Sequence, residues 1–251
     1  MNAFRTLLER PDPAIGTWVK LPTVESVELM MLAGFDFLVL DLEHSPMSIE
    51  TVSTLLAVTR AGGGAALVRI PDHSPAWVQR CLDAGAAGIL APHVDSVSEA
   101  EAIGRSARFE PRGRRGVGPT SRAGAWGMRP MREYMDEGDR AVVIAQIESE
   151  RGVQAAAGMI ETGEIDALFV GPADLSVSLG VAADSDLLAE HTASVLEACV
   201  TKGVPCGIAI GADPAKAASL ARQGFSFVMV SNDATILGTG AAQLVSGFRN
   251  K

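Results

Sequence analysis

The chain has 251 residues, 47% hydrophobic and 20% charged, with a formal net charge of -9. That length matches the ~250 residues of one eight-stranded α/β barrel and gives ample material for a buried core, which argues against disorder and for one domain over 1–251. An acidic surface offers no attractive field to nucleic-acid phosphates or anionic lipid. The first residues, MNAFRTLLERPDPAIG, contain no signal-type apolar core, and no run approaches the ~20 apolar residues of a spanning helix. A cytoplasmic protein with neither membrane nor nucleic-acid partners is expected.

In chain order, short apolar runs alternate with segments of helical length. The runs are Ile15–Val19, Asp36–Leu42, Ala65–Ile70, Gly88–Pro92, Ala141–Ile147, Asp166–Val170, Cys206–Ile210 and Phe227–Val230. Continuous apolar runs, rather than strict alternation, indicate strands buried on both faces, as in a parallel sheet covered by helices. The segments between them, such as SIETVSTLLAVTRAG and DPAKAASLARQG, carry apolar residues at helical spacing and a glycine near the end. Eight such units predict a single (β/α)8 TIM barrel. The longest connection, from Pro92 to Ala141, opens with a helix through SVSEAEAIGRSARF and continues into EPRGRRGVGPTSRAGAWG, a glycine- and arginine-rich segment of the kind used as a lid, a binding loop or a subunit contact. Cys81, Cys199 and Cys206 are odd in number and lack CxxC spacing, so they read as buried free thiols.

Sorting polar residues by position puts Lys20, Asp41, Glu43, His44, Arg69, Pro92, His93, Gln146, Glu148, Asp174, Gly211, Ser231 and Asn232 at or just beyond the carboxyl ends of strands. Barrel enzymes build their sites on that face. Glu148 and Asp174 follow consecutive strands, and two convergent carboxylates suit a hard divalent cation with oxygen ligands. Taken alone, each acid reads better as a solvated loop residue, while His44 reads equally well as a satisfied buried histidine and Arg69 as the partner of a structural acid. Taken together, Asp41 and Glu43 suit a proton-transfer role for His44, and Arg69 suits a developing enolate or a bound carboxylate. Motifs for a serine hydrolase, a P-loop, a zincin and a dinucleotide fold are absent. Of four lysines only Lys20 falls at a strand end, where a solvent-facing side chain is expected, so imine chemistry has one weak candidate.

GFDFLVLDLEHSP, LVRIP, GAAGILAP, RRGVG, AQIES and, above all, DALFVGPADLSVSLG resemble, in order and over nearly the whole chain, the metal-dependent (class II) pyruvate aldolases of the HpcH/HpaI superfamily, which include 4-hydroxy-2-oxoheptanedioate and 2-dehydro-3-deoxyglucarate aldolases. The resemblance implies an aldehyde-lyase that cleaves or forms 4-hydroxy-2-oxo acids through a pyruvate or hydroxypyruvate enolate and an aldehyde acceptor. It implies Glu148 and Asp174 as ligands of Mg²⁺, Mn²⁺ or Co²⁺, His44 as acid/base, Arg69 as enolate stabiliser, Gln146 as site carboxamide, Asp41 as a nearby site acid, and the N–H groups of Ala173 and Asp174 as contacts for the substrate carboxylate. Leu42 stands where relatives often have glycine, and His93 of PHV where many have methionine, departures that bear on acceptor preference.

Asp83 in RCLDAG matches an acid that relatives pair with the histidine, yet its place before a strand puts it on the opposite rim of its own barrel. It is therefore expected to reach His44 of a neighbouring subunit. The last segment, DATILGTGAAQLVSGFRN, spaces Ile236, Leu237, Leu244, Val245 and Phe248 at near-helical intervals. The resemblance implies exchange of this helix between subunits and a homo-oligomer, a hexamer. Aldehyde contacts are expected from Arg114–Arg122, from Trp18 and Pro22, with another subunit as a further source. Two alternatives are a CoA-ester lyase of malyl- or citramalyl-CoA type, which needs room for a nucleotide, and a non-catalytic 2-oxo-acid-binding barrel.

Overall fold

The eight apolar runs close on themselves in chain order as a parallel barrel in the computed structural model, which describes residues 2–249. The strands are β1 (Ala14–Val19), β2 (Phe37–Asp41), β3 (Ala65–Arg69), β4 (Gly88–Ala91), β5 (Val142–Ile147), β6 (Ala167–Val170), β7 (Cys206–Ile210) and β8 (Phe227–Asn232). Each matches its predicted run to within one or two residues at the ends, where strands fray. The main helices following them are α2 (Val24–Leu32), α3 (Ile49–Ala61), α4 (Pro75–Asp83), α5 (Val97–Ala107), α7 (Glu150–Glu161), α8 (Pro172–Leu179), α9 (Asp186–Lys202), α10 (Pro214–Gln223) and α11 (Asp233–Arg249). Ser48, Ser96, Ser149, Ser185 and Asp213 start five of these by accepting a first-turn N–H, and Gly180, Gly203 and Gly224 end three in the left-handed conformation that glycine adopts without penalty.

The two-residue strand period decides what fills the barrel. On β2 it turns Phe37, Val39 and Asp41 inward; on β3, Ala65, Leu67 and Arg69; on β5, Val142, Ile144 and Gln146, while the intervening residues pack under the helices. The lower inward layers are apolar and the layer at the carboxyl end is polar. An additional helix, α1 (Ala3–Leu8), not apparent from the sequence pattern, inserts Phe4 into the floor, edge-on to Phe37 at 4.9 Å and Phe227 at 5.6 Å. Gly16 is required here, since a Cβ would lie 2.3 Å from the Phe37 ring.

The long connection also departs from a plain loop. After α5 it forms a short turn at Ala125–Gly127 and a helix, α6 (Met131–Gly138), that buries Tyr134. It stays at the amino-terminal rim: Arg115 Nη2 donates to Asp83 Oδ1 at 2.8 Å, and the Ala123 N–H to the Asp83 carbonyl. A cavity of about 360 Å³ opens on that rim, lined by Leu56, Ala87, Arg115, Tyr134 and Ala141 among others, away from the polar mouth. α11 packs on β1 and β8, and of its described residues Asp233 alone is buried. Leu237, Leu244 and Phe248 are 65%, 78% and 82% exposed, an unpartnered apolar face; Asn250, the end of the expected segment, lies outside the described residues. No helix among the described residues is long and apolar enough to cross a membrane, and all three cysteines are buried and free, as expected.

Candidate active site

Asp41, the last inward residue of β2, is fully buried and sits under two cations. Arg69 grips it with both arms of its fork, Nε to Oδ1 at 2.9 Å and Nη2 to Oδ2 at 2.7 Å, and Lys20 Nζ donates to Oδ2 at 2.6 Å. Burial alone would raise this carboxyl, but the hydrogen bonds and charges of Arg69 and Lys20 outweigh it and hold the pKa at about 2. The N–H groups of Glu43 and His44 also donate to Oδ1, so the same carboxylate folds the turn after β2. Asp41 is thus a permanent anion that orients Arg69, whose guanidinium also lies 4.1 Å from the Trp18 ring centroid. Lys20 does not extend freely into solvent as expected; a quarter of its side chain is exposed, and its ammonium is tied to the buried Asp41 carboxylate.

Across the mouth, Glu148 is 3% exposed. Its Oε1 accepts from Gln146 Nε2 at 2.6 Å and its Oε2 from the His93 N–H at 2.9 Å. Burial pushes its pKa from the ordinary 4.5 to about 7; the charges of Asp174 and Glu43 push the same way, and the hydrogen bond and charge of His93 oppose them. Asp174 lies exposed in the first turn of α8, close enough for its charge to act on Glu148. Gly171, just before that helix, leaves room for Glu148 and Gln146: a Cβ would lie 2.8 Å from Glu148 Cγ and Oε1 and 3.0 Å from Gln146 Nε2.

Glu43 bridges the two halves. Its Oε2 is 3.0 Å from Arg69 Nη1, an ion pair not aligned as a hydrogen bond, and its Oε1 is 3.3 Å from His93 Nε2. His44 is 57% exposed, its Nε2 3.6 Å from Glu43 Oε2, and only its backbone meets Asp41. The acid beside this imidazole is therefore Glu43.

Most of the residues expected at one site do converge: Asp41, Arg69, His44, Gln146, Glu148 and Asp174 ring the carboxyl-terminal mouth, and Ala173 and Asp174 occupy the helix start, where backbone N–H groups have no intrahelical partner. Asp83 does not join them within one chain, because it closes α4 at the other rim and pairs with Arg115. The Arg114–Arg122 segment lies on that rim too, so its own barrel's mouth is out of its reach, a correction to the expectation that it lines the aldehyde site unless a second subunit supplies it. One participant, Asp233, is not apparent from the sequence pattern, and a second, His93, has no role in it. Asp233, buried at the start of α11, accepts the Lys20 and Leu21 N–H groups at 2.9 and 3.0 Å and anchors the β1 end; nothing in its local pattern marks it. His93 stands among the strand-end residues and as a departure from the family pattern, but its sequence context assigns it no role; an imidazole following a proline at a strand end is the usable signal.

Oxygen donors dominate the Glu148 side. Gln146 Oε1 is buried without a partner, and Asp174 lies near enough for its charge to add to the burial that raises the Glu148 pKa. Such a set fits a hard divalent cation. Among the described residues no three His, Cys, Asp or Glu side chains form a ready cluster, and Glu148 and Asp174 are the carboxylates that could hold such an ion.

The family model for HpcH/HpaI aldolase/citrate lyase matches residues 14–238. The chain is 32% identical over 251 residues to a 5-keto-4-deoxy-D-glucarate aldolase of Enterobacter sp. (strain 638), covering 99% of this chain and 97% of that one. It is 34% identical over 252 residues to a 4-hydroxy-2-oxo-heptane-1,7-dioate aldolase of Salmonella arizonae, covering 98% and 94%. A crystal structure of a family protein from Burkholderia cenocepacia J2315 superposes with a TM-score of 0.92 at 33% identity, covering 99% of this chain and all of that one. A barrel closed in the same order, with acids, an arginine and a carboxamide on its carboxyl rim and likeness along its whole length, makes this chain a member of the HpcH/HpaI aldolase/citrate lyase family, an enzyme of the lyase kind.

Proposed function

We propose that the protein is a class II, metal-dependent aldolase that cleaves and forms 4-hydroxy-2-oxo acids, with pyruvate or hydroxypyruvate as donor and an aldehyde as acceptor. The observation that carries the reading is the buried Glu148 carboxylate, fixed by Gln146 at 2.6 Å and near enough to Asp174 for their charges to interact, with Glu43 standing between it and Arg69. Glu148 and Asp174 would hold Mg²⁺, Mn²⁺ or Co²⁺, which when bound supplies Lewis-acid polarisation of the 2-oxo oxygen. Gln146 orients Glu148. The free N–H groups of Ala173 and Asp174, at the positive end of α8, bind the substrate carboxylate. Arg69, aimed by Asp41 and Trp18, stabilises negative charge as it forms on the oxo oxygen. In the cleavage direction His44, assisted by Glu43, takes the proton of the 4-hydroxyl, the C3–C4 bond breaks, an aldehyde leaves, and the enolate regains a proton at C3. Asp41 takes no part in proton transfer, since it stays ionised; its role is to hold Arg69.

The exposed apolar face of α11 supports a homo-oligomer, which by the family resemblance is a hexamer with Asp83 serving a neighbouring subunit's mouth; a cytoplasmic location is part of the same proposal. The test is deuterium exchange at the pyruvate methyl in deuterated buffer. Exchange that disappears with EDTA and returns with Mn²⁺ is the expected result. Exchange that survives exhaustive chelation, or borohydride trapping of pyruvate on Lys20, would replace this reading with imine chemistry.

A further inference from the structure

His93 stands between the two halves of the mouth and has no part in the steps above. It follows Pro92 at the end of β4 with φ at +48°, the left-handed region that few residues other than glycine enter. Both sides of that turn are pinned: His73 Nε2 lies 2.5 Å from the Pro92 carbonyl, and the Val94 N–H donates to the Gln146 carbonyl at 3.2 Å. Non-glycine residues persist in such conformations where their surroundings over-determine them, and they cluster at functional sites. The result is that one residue meets Glu148 Oε2 twice, through its N–H at 2.9 Å and its ring Nδ1 at 3.1 Å. The other ring nitrogen, Nε2, is 3.3 Å from Glu43 Oε1, and Glu43 leads on to Arg69 at 3.0 Å.

We infer that His93 is a positioning residue that sets the Glu148 carboxylate for its cation and links it, through Glu43, to Arg69. The inference rests on the cation site proposed above. Partners that orient a ligating carboxylate govern metal affinity almost as the ligands do, and their loss costs about 10–100-fold in binding. Gln146 holds Oε1 and the His93 N–H holds Oε2; the imidazole adds a second contact at Oε2 and ties that oxygen to Glu43. His93→Asn is the informative conservative change, because asparagine tolerates the left-handed region and its amide N–H₂ approximates the place of Nδ1 while leaving Glu43 unmet.

The experiment is isothermal titration of the EDTA-treated, full oligomeric protein with Mn²⁺, with no substrate present, on the parent, His93→Ala, His93→Asn and Glu148→Gln. His93→Ala is expected to weaken Mn²⁺ binding by about 10–100-fold, His93→Asn to recover most of that loss, and Glu148→Gln to abolish binding. Parent-like affinity in His93→Ala, or a loss in His93→Asn as complete as in Glu148→Gln, overturns the role of His93 while leaving the cation site standing. Parent-like affinity in Glu148→Gln overturns the cation site itself, and the role of His93 with it. Should His93→Ala fail to fold, His93→Asn decides the matter by the same criterion.

Discussion

Replacing Glu148 with glutamine should stabilise the metal-free protein, and by an amount that depends on pH. The folded protein holds the Glu148 proton more tightly than the unfolded chain does, with a pKa of about 7 against 4.5. A raised pKa favours folding at low pH, and that advantage fades as pH rises through about 7. At about 1.4 kcal/mol per pKa unit, the ionised carboxylate opposes folding by about 3 kcal/mol at pH 8 and by almost nothing at pH 4.5. Glutamine removes that opposition, and its amide can be met by Gln146, whose Oε1 is free to turn toward it. For a chain of this size the gain corresponds to a Tm rise of roughly 6–12 °C at pH 8. Scanning calorimetry of EDTA-dialysed parent and variant, at matched protein concentration, from pH 5 to pH 8 measures it. With saturating Mn²⁺ the order should invert, since only the parent gains ligand stabilisation. A variant less stable than the parent at pH 8 without metal, or a difference that does not grow with pH, would refute the reasoning.

Two further outcomes follow from the same geometry. Asp41→Asn leaves Arg69 and Lys20 without their shared anion and should cost about 3–5 kcal/mol in urea unfolding at pH 7; because the Asp41 pKa is depressed to about 2 from the ordinary 3.8, its contribution is complete above 3.8 and disappears only as pH falls through about 2, so the difference must stay flat from pH 5 to pH 8. Gly171→Ala puts a methyl within 2.8 Å of Glu148, and misplacing that carboxylate should lower metal-dependent methyl exchange by roughly 10–100-fold. Unchanged exchange at saturating Mn²⁺ would show that Glu148 has more room than its contacts imply.

Much of the site was legible before any coordinates because barrel chemistry concentrates where strands end. Asp41, Arg69 and Gln146 stood out as polar residues closing apolar runs, and the two-residue period then sends all three inward together. His44 was legible as a site residue, but its partner was not: Asp41 and Glu43 are both near it in sequence, and the pairing depends on Asp41 being claimed by Arg69 and Lys20 from neighbouring strands. Lys20 was misjudged for the same reason, since its partner lies 21 residues away across a strand pair. α1 escaped notice because six residues are too few to show a helical period, and its order comes from Phe4 packing into the barrel floor.

Local pattern alone determined the eight strands, their burial on both faces, and which carboxylates sit at one mouth, because side-chain period and strand-end position are properties of short segments. Only the closed barrel decided the rest: that Asp41 serves as a fixed anion, that burial raises the Glu148 pKa to about 7, that the arginine-rich connection faces away from its own site, and that His93 spans Glu43 and Glu148. Each of these depends on charges and burial contributed by residues tens of positions apart, and such coupling has no signature in a linear pattern until the chain has brought those groups within a few ångströms.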